Sequence, residues 1–253
     1  MLLLYLLLLF QHAGSIHPTQ QAFTIMTYNI HHGANKQEQI TLDSMGLFIK
    51  DSGAEIIGLQ EVDSVCDRSG KTDQMKRLAQ LTGMQYAFVR HFAFQGGAYG
   101  QGILSRYPIE SVENIRLSIL KKDSLRQSLA LIAAVVQVPG KGRVIFANAH
   151  FSLDAPTRLQ QAKEVLAYLK KKNLPAIFVG DLNATPDQEE ILLLQKKLLP
   201  VSGLNQPSFP TEAPVKTIDY IFINRQMKAK TGHTHVPSVP FSDHLPVISG
   251  IQF

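Results

Sequence analysis

The stretch LALIAAVVQVPGKGRVIFANAH, residues 129–150, decides the architecture. Two apolar, β-branched runs, Leu129 to Val138 and Arg143 to His150, flank Pro139-Gly140-Lys141-Gly142, and apolar runs around a Pro/Gly turn predict a hairpin. Working outward, similar runs predict strands at Phe23 to Ile30, Glu55 to Leu59, Tyr86 to Arg90, Ala176 to Val179, Ile218 to Ile223 and Pro246 to Ile251. Helical periodicity falls between them, at Ile40 to Lys50, Thr72 to Leu81, Pro156 to Lys172 and Asp187 to Lys197. Helices early and late with strands between them predict two packed sheets with helices outside, an α/β fold. Leu199 to Lys216, with four prolines, reads as a long loop within the domain.

At 253 residues and 45% hydrophobic, the chain suffices for one well-buried core. Residues 21–253 are expected to form one catalytic domain. Residues 1–20 hold an apolar run from Leu2 to Phe10, about half the roughly 20 residues that span a bilayer, followed by Ala13, Gly14 and Ser15. That layout is read as a secretory signal peptide, although it lacks the basic residue expected before the apolar run, and it predicts a periplasmic or secreted protein. Cys66 is the only cysteine, which excludes an internal disulfide, a Cys-based zinc site and a CxxC redox pair. The formal charge of +5 is scattered, and Lys170-Lys171-Lys172 suits a helix C-terminus better than a binding patch.

The chemistry is concentrated at the ends of apolar runs: Asn29 in TYNI, Glu61 in LQEV, His150 in NAHFS, Asp181 and Asn183 in VGDLNA, Asp219 in TIDYIF, and Asp243-His244 in FSDHLPV. Asp and His are costly to bury at strand ends without partners, so the recurrence argues for one shared site. Carboxylates, an amide and two imidazoles without thiolate form the oxygen-rich ligand set that magnesium, or manganese, prefers. Phosphate-ester hydrolysis needs charge neutralised on the non-bridging oxygens, an activated water and a stabilised leaving oxygen. Asp219 and His244 could form a carboxylate-imidazole pair, and Glu61 would hold the metal. The adjacent His31 and His32 would point to opposite faces if extended, and are read as loop or wall residues.

The ordered set Asn29, Glu61, His150, Asp181-x-Asn183, Asp219, Asp243-His244, with GILSRYPI at 102–109, resembles the endonuclease/exonuclease/phosphatase superfamily from Phe23 to Phe253. The resemblance implies a deoxyribonuclease I-like four-layer α/β/β/α sandwich and inline attack without a covalent intermediate. It implies Glu61 as principal metal ligand with Asn29 and Asp243 beside the ion. His150 and Asn183 would contact the scissile phosphate, Asp181 would position or deprotonate the water, and His244, oriented by Asp219, would act as base or phosphate contact. Which of Asp181 and His244 takes the proton stays open at this point.

A histidine at 150 is similar to the deoxyribonuclease I, sphingomyelinase and 5-phosphatase branches, which disfavours abasic-site repair. EVDSVCDRSGKTDQ, FQGGAYG and ILSRYPI resemble exported bacterial metal-dependent hydrolases. Arg68, Lys71, Gln95 and Tyr99 are candidates to line the substrate pocket, His91-Phe92-Ala93-Phe94 reads as a buried hairpin, and Arg158 as one partner of an exposed ion pair. The expected partner is a phosphate-ester substrate, whether small molecule, lipid head group or nucleic acid, with no obligate protein partner and a monomeric chain. A weakly specific secreted nuclease is the alternative, but it would want a basic stripe and stacking aromatics beside the site. A non-catalytic module on the same fold would lack a metal or base residue, and none is missing. N-terminal sequencing of protein from the native host should find a start downstream of Met1; an intact Met1 would refute cleavage.

Overall fold

The computed structural model describes residues 22–121 and 128–253; the expected leader over residues 1–20 lies outside them. In chain order the elements are β1 (Phe23–Asn29), α1 (Leu42–Asp51), β2 (Ile56–Ser64), α2 (Gln74–Thr82), β3 (Gln85–Phe94), β4 (Gly97–Ser105), β5 (Ile109–Ser118), β6 (Ser128–Val138), β7 (Gly142–His150), α3 (Ala155–Lys172), β8 (Ala176–Asp181), α4 (Glu189–Gln195), β9 (Leu198–Pro200), β10 (Asp219–Asn224), β11 (Lys230–His235) and β12 (Val247–Gln252). The β6–β7 hairpin forms with Val138 paired to Gly142. Gly140 and Gly142 take left-handed backbone angles there (φ 72° and 79°), the conformation for which glycine is the natural residue.

Two six-stranded sheets result, ordered β11-β12-β1-β2-β4-β3 and β5-β6-β7-β8-β10-β9. Each has one parallel pair at its centre, β1 with β2 and β7 with β8, and antiparallel neighbours outside it. A parallel pair needs a crossover, which α1 supplies in the first sheet and α3 in the second. Ile25, Ile56 and Ile103 of the first sheet meet Ile132, Phe146 and Val179 of the second in the central core. The outer face of the first sheet, with Tyr28 and Leu59, is covered by Met45 and Ile49 of α1 and Leu78 of α2. Phe178 and Phe222 of the second sheet are covered by Val165 and Leu169 of α3 and Leu194 of α4. This is the expected four-layer α/β/β/α sandwich.

Helix α3 shows the local signals at work. Asp154 accepts from the Thr157 N–H at 3.1 Å, Pro156 sits in the first turn, and Asn173 closes the helix in a left-handed conformation. Arg158 departs from the expected exposed ion pair. It is buried with Glu190 and also donates from Nη1 to the Leu153 carbonyl at 2.7 Å, bracing the loop after β7. Strands β4, β5, β9 and β11 are additions to the predicted set, β9 taking up the start of the stretch read as a loop. In β4, Gly100 lies so close to β3 that a Cβ would fall 2.1 Å from the Val89 carbonyl, so glycine there is a packing requirement. β5 and β11 are edge strands with largely exposed side chains, and so lack apolar alternation.

Polar side chains cross the central core. Asn148 of β7, fully buried, donates to the carbonyls of Leu59 (2.9 Å) and Gly102 (3.0 Å) on β2 and β4, and accepts from Gln60 Nε2 at 2.6 Å. Gln101 returns the contact, donating to the Ala130 and Asn148 carbonyls at 2.6 and 2.9 Å. Replacing Asn148 with Leu should cost roughly 2–5 kcal/mol, because each buried group left without its partner costs about 1–3 kcal/mol. Denaturant unfolding measures this; a loss under about 1 kcal/mol would show that apolar packing alone holds the sheets together.

Candidate active site

The site begins with a β-bulge. Leu59 pairs with Gly102 and Val62 with Gly100, so Gln60 and Glu61 together face the single residue Gln101. Ile57, Leu59 and Val62 all reach the helix-covered core, a spacing that strict alternation cannot produce. Gln60 points into the central core by ordinary alternation, and the extra residue returns Val62 to the helix-covered face and frees Glu61, at φ 56°, to face the end of the sandwich. Asn183 is likewise left-handed, at φ 49°, just beyond β8. Non-glycine residues held in this region cost about 1–3 kcal/mol each and cluster where function requires them.

Asp181 is the hub. Its Oδ1 accepts from the Asn183 N–H at 2.9 Å, and its Oδ2 accepts from Asn29 Nδ2 at 3.0 Å. The same Oδ2 lies 3.5 Å from His150 Nε2 and 3.6 Å from His244 Nε2. Asn29 Nδ2 also donates to Glu61 Oε1 at 3.0 Å, while Asn29 Oδ1 accepts from the His31 N–H at 3.1 Å. Turning that amide over would set its oxygen against two carboxylates, so Asn29 enters the site as a donor. Asn183 Nδ2 donates to the Phe151 carbonyl at 2.9 Å and lies 3.0 Å from His150 Nε2. Asp243 completes the set: its Oδ1 and Glu61 Oε2 lie 3.6 and 3.9 Å from His31 Nδ1.

Asp219 and His244 form the pair that the sequence suggested, with Nδ1 to Oδ2 at 2.9 Å and both side chains buried. Burial pushes the Asp219 carboxyl up, against the pull of His244. Burial opposes charge on His244, yet Asp219, Asp181 and Asp243 outweigh it and push that imidazole up to about 10. Both ring nitrogens face carboxylate oxygens, so both carry protons. The Leu199 to Lys216 loop supplies the remaining supports: Ser208 Oγ donates to Asp219 Oδ2 at 2.5 Å, and the Phe209 ring packs 4.7 Å from that of His244. Ser242 Oγ donates to the Asn29 carbonyl at 2.7 Å and accepts from the His244 N–H at 3.2 Å, tying the two ends of the chain together.

These groups lie in a cleft of about 680 Å³. Its walls include Phe92, Phe94 and Tyr99 of the β3–β4 hairpin, which is open to the cleft rather than buried, and Phe151 and Leu153 opposite. Of the pocket candidates, Arg68 and Tyr99 line the cleft; Gln95 instead accepts from the Arg68 N–H at 3.1 Å, and Lys71 pairs with Asp67 at 3.5 Å outside it. Arg68 is clamped by two hydrogen bonds to buried Asp63, at 2.8 and 2.9 Å, with its guanidinium over the Phe94 and Tyr99 rings. Burial, reinforced by Glu61, pushes the Tyr99 hydroxyl well above its usual range, so it presents a proton.

Sequence reasoning missed four participants. His91 is buried in the cleft wall, where its Nδ1 accepts from the Ala130 N–H at 2.8 Å and its Nε2 has no partner among the described residues. Burial, then His150 and Arg116, hold it neutral. Glu38 and the two adjacent histidines are the others. His31 and His32 occupy a left-handed turn (φ 42° and 46°) instead of an extended one, so their rings lie 4.3 Å apart and converge on Glu38. His31 Nε2 meets Glu38 Oε1 at 3.0 Å, and His32 Nε2 meets Oε2 at 2.9 Å. A lone exposed Glu gives no signal that could have linked them.

Comparison with known proteins bears on the fold and the family. The Escherichia coli K12 protein YbhP, itself uncharacterised, is 25% identical over 252 residues, covering 92% of this chain and 98% of its own. Among solved structures, mannosyl-6-phosphatase Bt3783 of Bacteroides thetaiotaomicron superposes with a TM-score of 0.74 at 18% identity, over 92% of this chain and 100% of that one. The human Nocturnin catalytic domain, solved with a bound sulfate, gives 0.71 at 19% identity over 92% and 93%. At such identities these two show the fold alone. The sequence profile of the endonuclease/exonuclease/phosphatase family matches residues 26–244, which contain every candidate site residue named above, and the chain belongs to that family.

Proposed function

We propose that the protein is a divalent-cation-dependent phosphoesterase that hydrolyses a small phosphate ester by inline attack of water. Family members are hydrolases of phosphate esters; what supports the finer reading is Asp181 Oδ2, an ionised acceptor flanked by Asn29, His150 and His244. A carboxylate held by N–H donors, with the protonated His244 imidazole beside it, can orient a water and accept its proton while its neighbours receive phosphate oxygens. In this reading Asp181 is the base. His244, kept protonated by Asp219, and His150 with Asn183 Nδ2 neutralise the charge that builds on the phosphoryl oxygens.

The donor set fits a cation: Glu61 Oε2 and Asp243 Oδ1 lie within 4 Å of one imidazole nitrogen, with no Lys or Arg bonded to either carboxylate among the described residues. Glu61 and Asp243 would hold the ion, which when bound would offset phosphate charge and stabilise the leaving oxygen. Asn29 keeps Glu61 and Asp181 apart and oriented by donating to both.

The walls argue for a small substrate. Of the described cleft residues only Arg68 and Lys121 are Lys or Arg; Asp63 clamps the first and Asp154 pairs with the second at 3.6 Å. A polynucleotide backbone needs a run of free cations to follow it, which these do not provide. A compact anionic head with an apolar or ring-bearing remainder matches Phe92, Phe94 and Tyr99 better.

Purified protein should hydrolyse bis-p-nitrophenyl phosphate or a phosphomonoester only with added Mg²⁺ or Mn²⁺, without nicking supercoiled plasmid. Nicking that vanishes in His244→Ala would establish the nuclease reading in its place. Asp181→Asn and His244→Ala should each lower kcat on the order of 100-fold or more; a near-normal rate in either would refute its role. Glu61→Ala should abolish turnover, and excess metal should partly restore Glu61→Gln. Equal, metal-insensitive rates in both would remove Glu61 from the site.

A further inference from the structure

We propose that Arg68, Tyr99 and His91 form a second subsite of the cleft, one that offers only donors and takes a second oxyanion, carboxylate or phosphate, carried by the substrate beside the ester that is hydrolysed. The inference deepens the reading above, and rests on it, that the cleft around Asp181 receives a phosphate ester.

Arg68 anchors the subsite. Its Nε and Nη2 donate to the two oxygens of fully buried Asp63 at 2.8 and 2.9 Å, which makes Asp63 the positioning residue. A guanidinium carries about five N–H groups, and those not given to Asp63 have no partner among the described residues. The group lies over the Phe94 and Tyr99 rings, 4.8 and 5.5 Å from their centroids, with 28% of the side chain exposed in the cleft wall. A planar fork fixed by a buried carboxylate and two rings has already lost the freedom that binding would otherwise remove. Lys121, the other cation among the described lining, is 85% exposed beside Asp154 and lacks this preorganisation.

His91 also packs against Tyr99, with ring centroids 5.7 Å apart, and the backbone sets its tautomer. Nδ1 accepts from the Ala130 N–H at 2.8 Å, so the one proton of the neutral ring is on Nε2. That buried N–H has no acceptor among the described residues, a penalty that a bound acceptor removes. Tyr99, in contact with both, presents its own proton to the same cleft. Donors without acceptors select a group that only accepts. A hydroxyl or amide brings a proton of its own, which nothing in this row takes, since both Asp63 oxygens already face Arg68. A carboxylate or phosphate brings none, and paired N–H groups of a guanidinium match either. Tyr99 is within electrostatic reach of Glu61 and Asp181 as well as Arg68, so the subsite abuts the hydrolytic centre and the two oxyanions are near neighbours in one small molecule.

The test is calorimetric binding of three non-hydrolysable probes to the full chain at fixed free Mg²⁺: methylphosphonate, phosphonoacetate with an added carboxylate, and methylenebisphosphonate with an added phosphonate. At least one two-headed probe should bind about 10-fold or more tighter than methylphosphonate, and the tighter of the two identifies the second group as carboxylate or phosphate. Arg68→Gln should bring that ratio within about 3-fold of unity with methylphosphonate affinity changed less than about 3-fold, and His91→Phe should lower the ratio at least about 3-fold. His244→Ala should weaken all three probes alike. Arg68→Gln leaves Asp63 buried without its partner, so Asp63→Asn combined with Arg68→Gln is measured beside it, and thermal unfolding confirms that each variant is folded. A ratio near one in the wild type, or a raised ratio that survives both Arg68 variants, would overturn the subsite, while methylphosphonate binding keeps the phosphoesterase reading. Equal loss of all three probes in Arg68→Gln would overturn it in favour of Arg68 on the scissile phosphate. Failure of the wild-type chain to bind any probe would overturn it together with that reading.

Discussion

Everything at the active end depends on the amide contacts that cross the central core. Glu61 and Asn29 belong to one sheet, Asp181, Asn183 and Asp219 to or beside the other, and the reactive arrangement exists only if the sheets hold a fixed offset. Apolar packing does not supply that, because Ile, Val and Phe side chains tolerate small slides at little cost. Directional bonds do. Asn148, Gln60 and Gln101 each find their partners on the facing sheet at one offset only, and Gly58 admits them: a Cβ there would meet Val179 at 2.4 Å and Asn148 at 3.0 Å. The network lies directly beneath Glu61, so the residue that sets sheet register and the residue that faces the ligand are neighbours in sequence.

Electrostatics then defines what the site can accept. Glu61, Asp181, Asp219 and Asp243 converge with three imidazoles and, among the described residues, no paired lysine or arginine. One carboxylate finds its counter-charge inside the protein, in the Asp219–His244 pair, and Asp181 shares that charge at longer range. Among the described residues, the side-chain hydrogen bonds and ion contacts of Glu61 and Asp243 are with Asn29, Ser242 and His31, which is the environment of groups whose compensation comes with a ligand.

The layer order and the Asp219–His244 pair were legible in the sequence, since apolar runs mark buried strands and the polar residues closing them have few other uses. Less was legible wherever tertiary structure overrides local pattern. The bulge at Gln60–Glu61 is invisible in LQEV, because its cause is the pairing of β4 with β2. Glycine-rich β4 has no apolar alternation to mark it as a strand, and its glycines are explained only when Val89 is seen against Gly100. His31 and His32 were assigned opposite directions by an extended-chain rule that a left-handed turn reverses. Arg158, expected on the surface, is covered because α4 packs over it, a contact between segments about thirty residues apart.

The division between seam and walls has a consequence for how such a protein changes over time. The residues that fix the floor of the cleft are strand residues whose hydrogen bonds also hold the sheets in register, so substitution there is paid twice, in folding and in chemistry. Phe92, Phe94, Tyr99 and Leu153 come from a hairpin tip and a loop that take no part in the seam. Those positions can drift independently of the floor, the three rings of the hairpin together because they pack on one another. A lineage built on this plan can therefore exchange leaving groups by small steps, each intermediate retaining a working centre, while the bond that is broken stays the same.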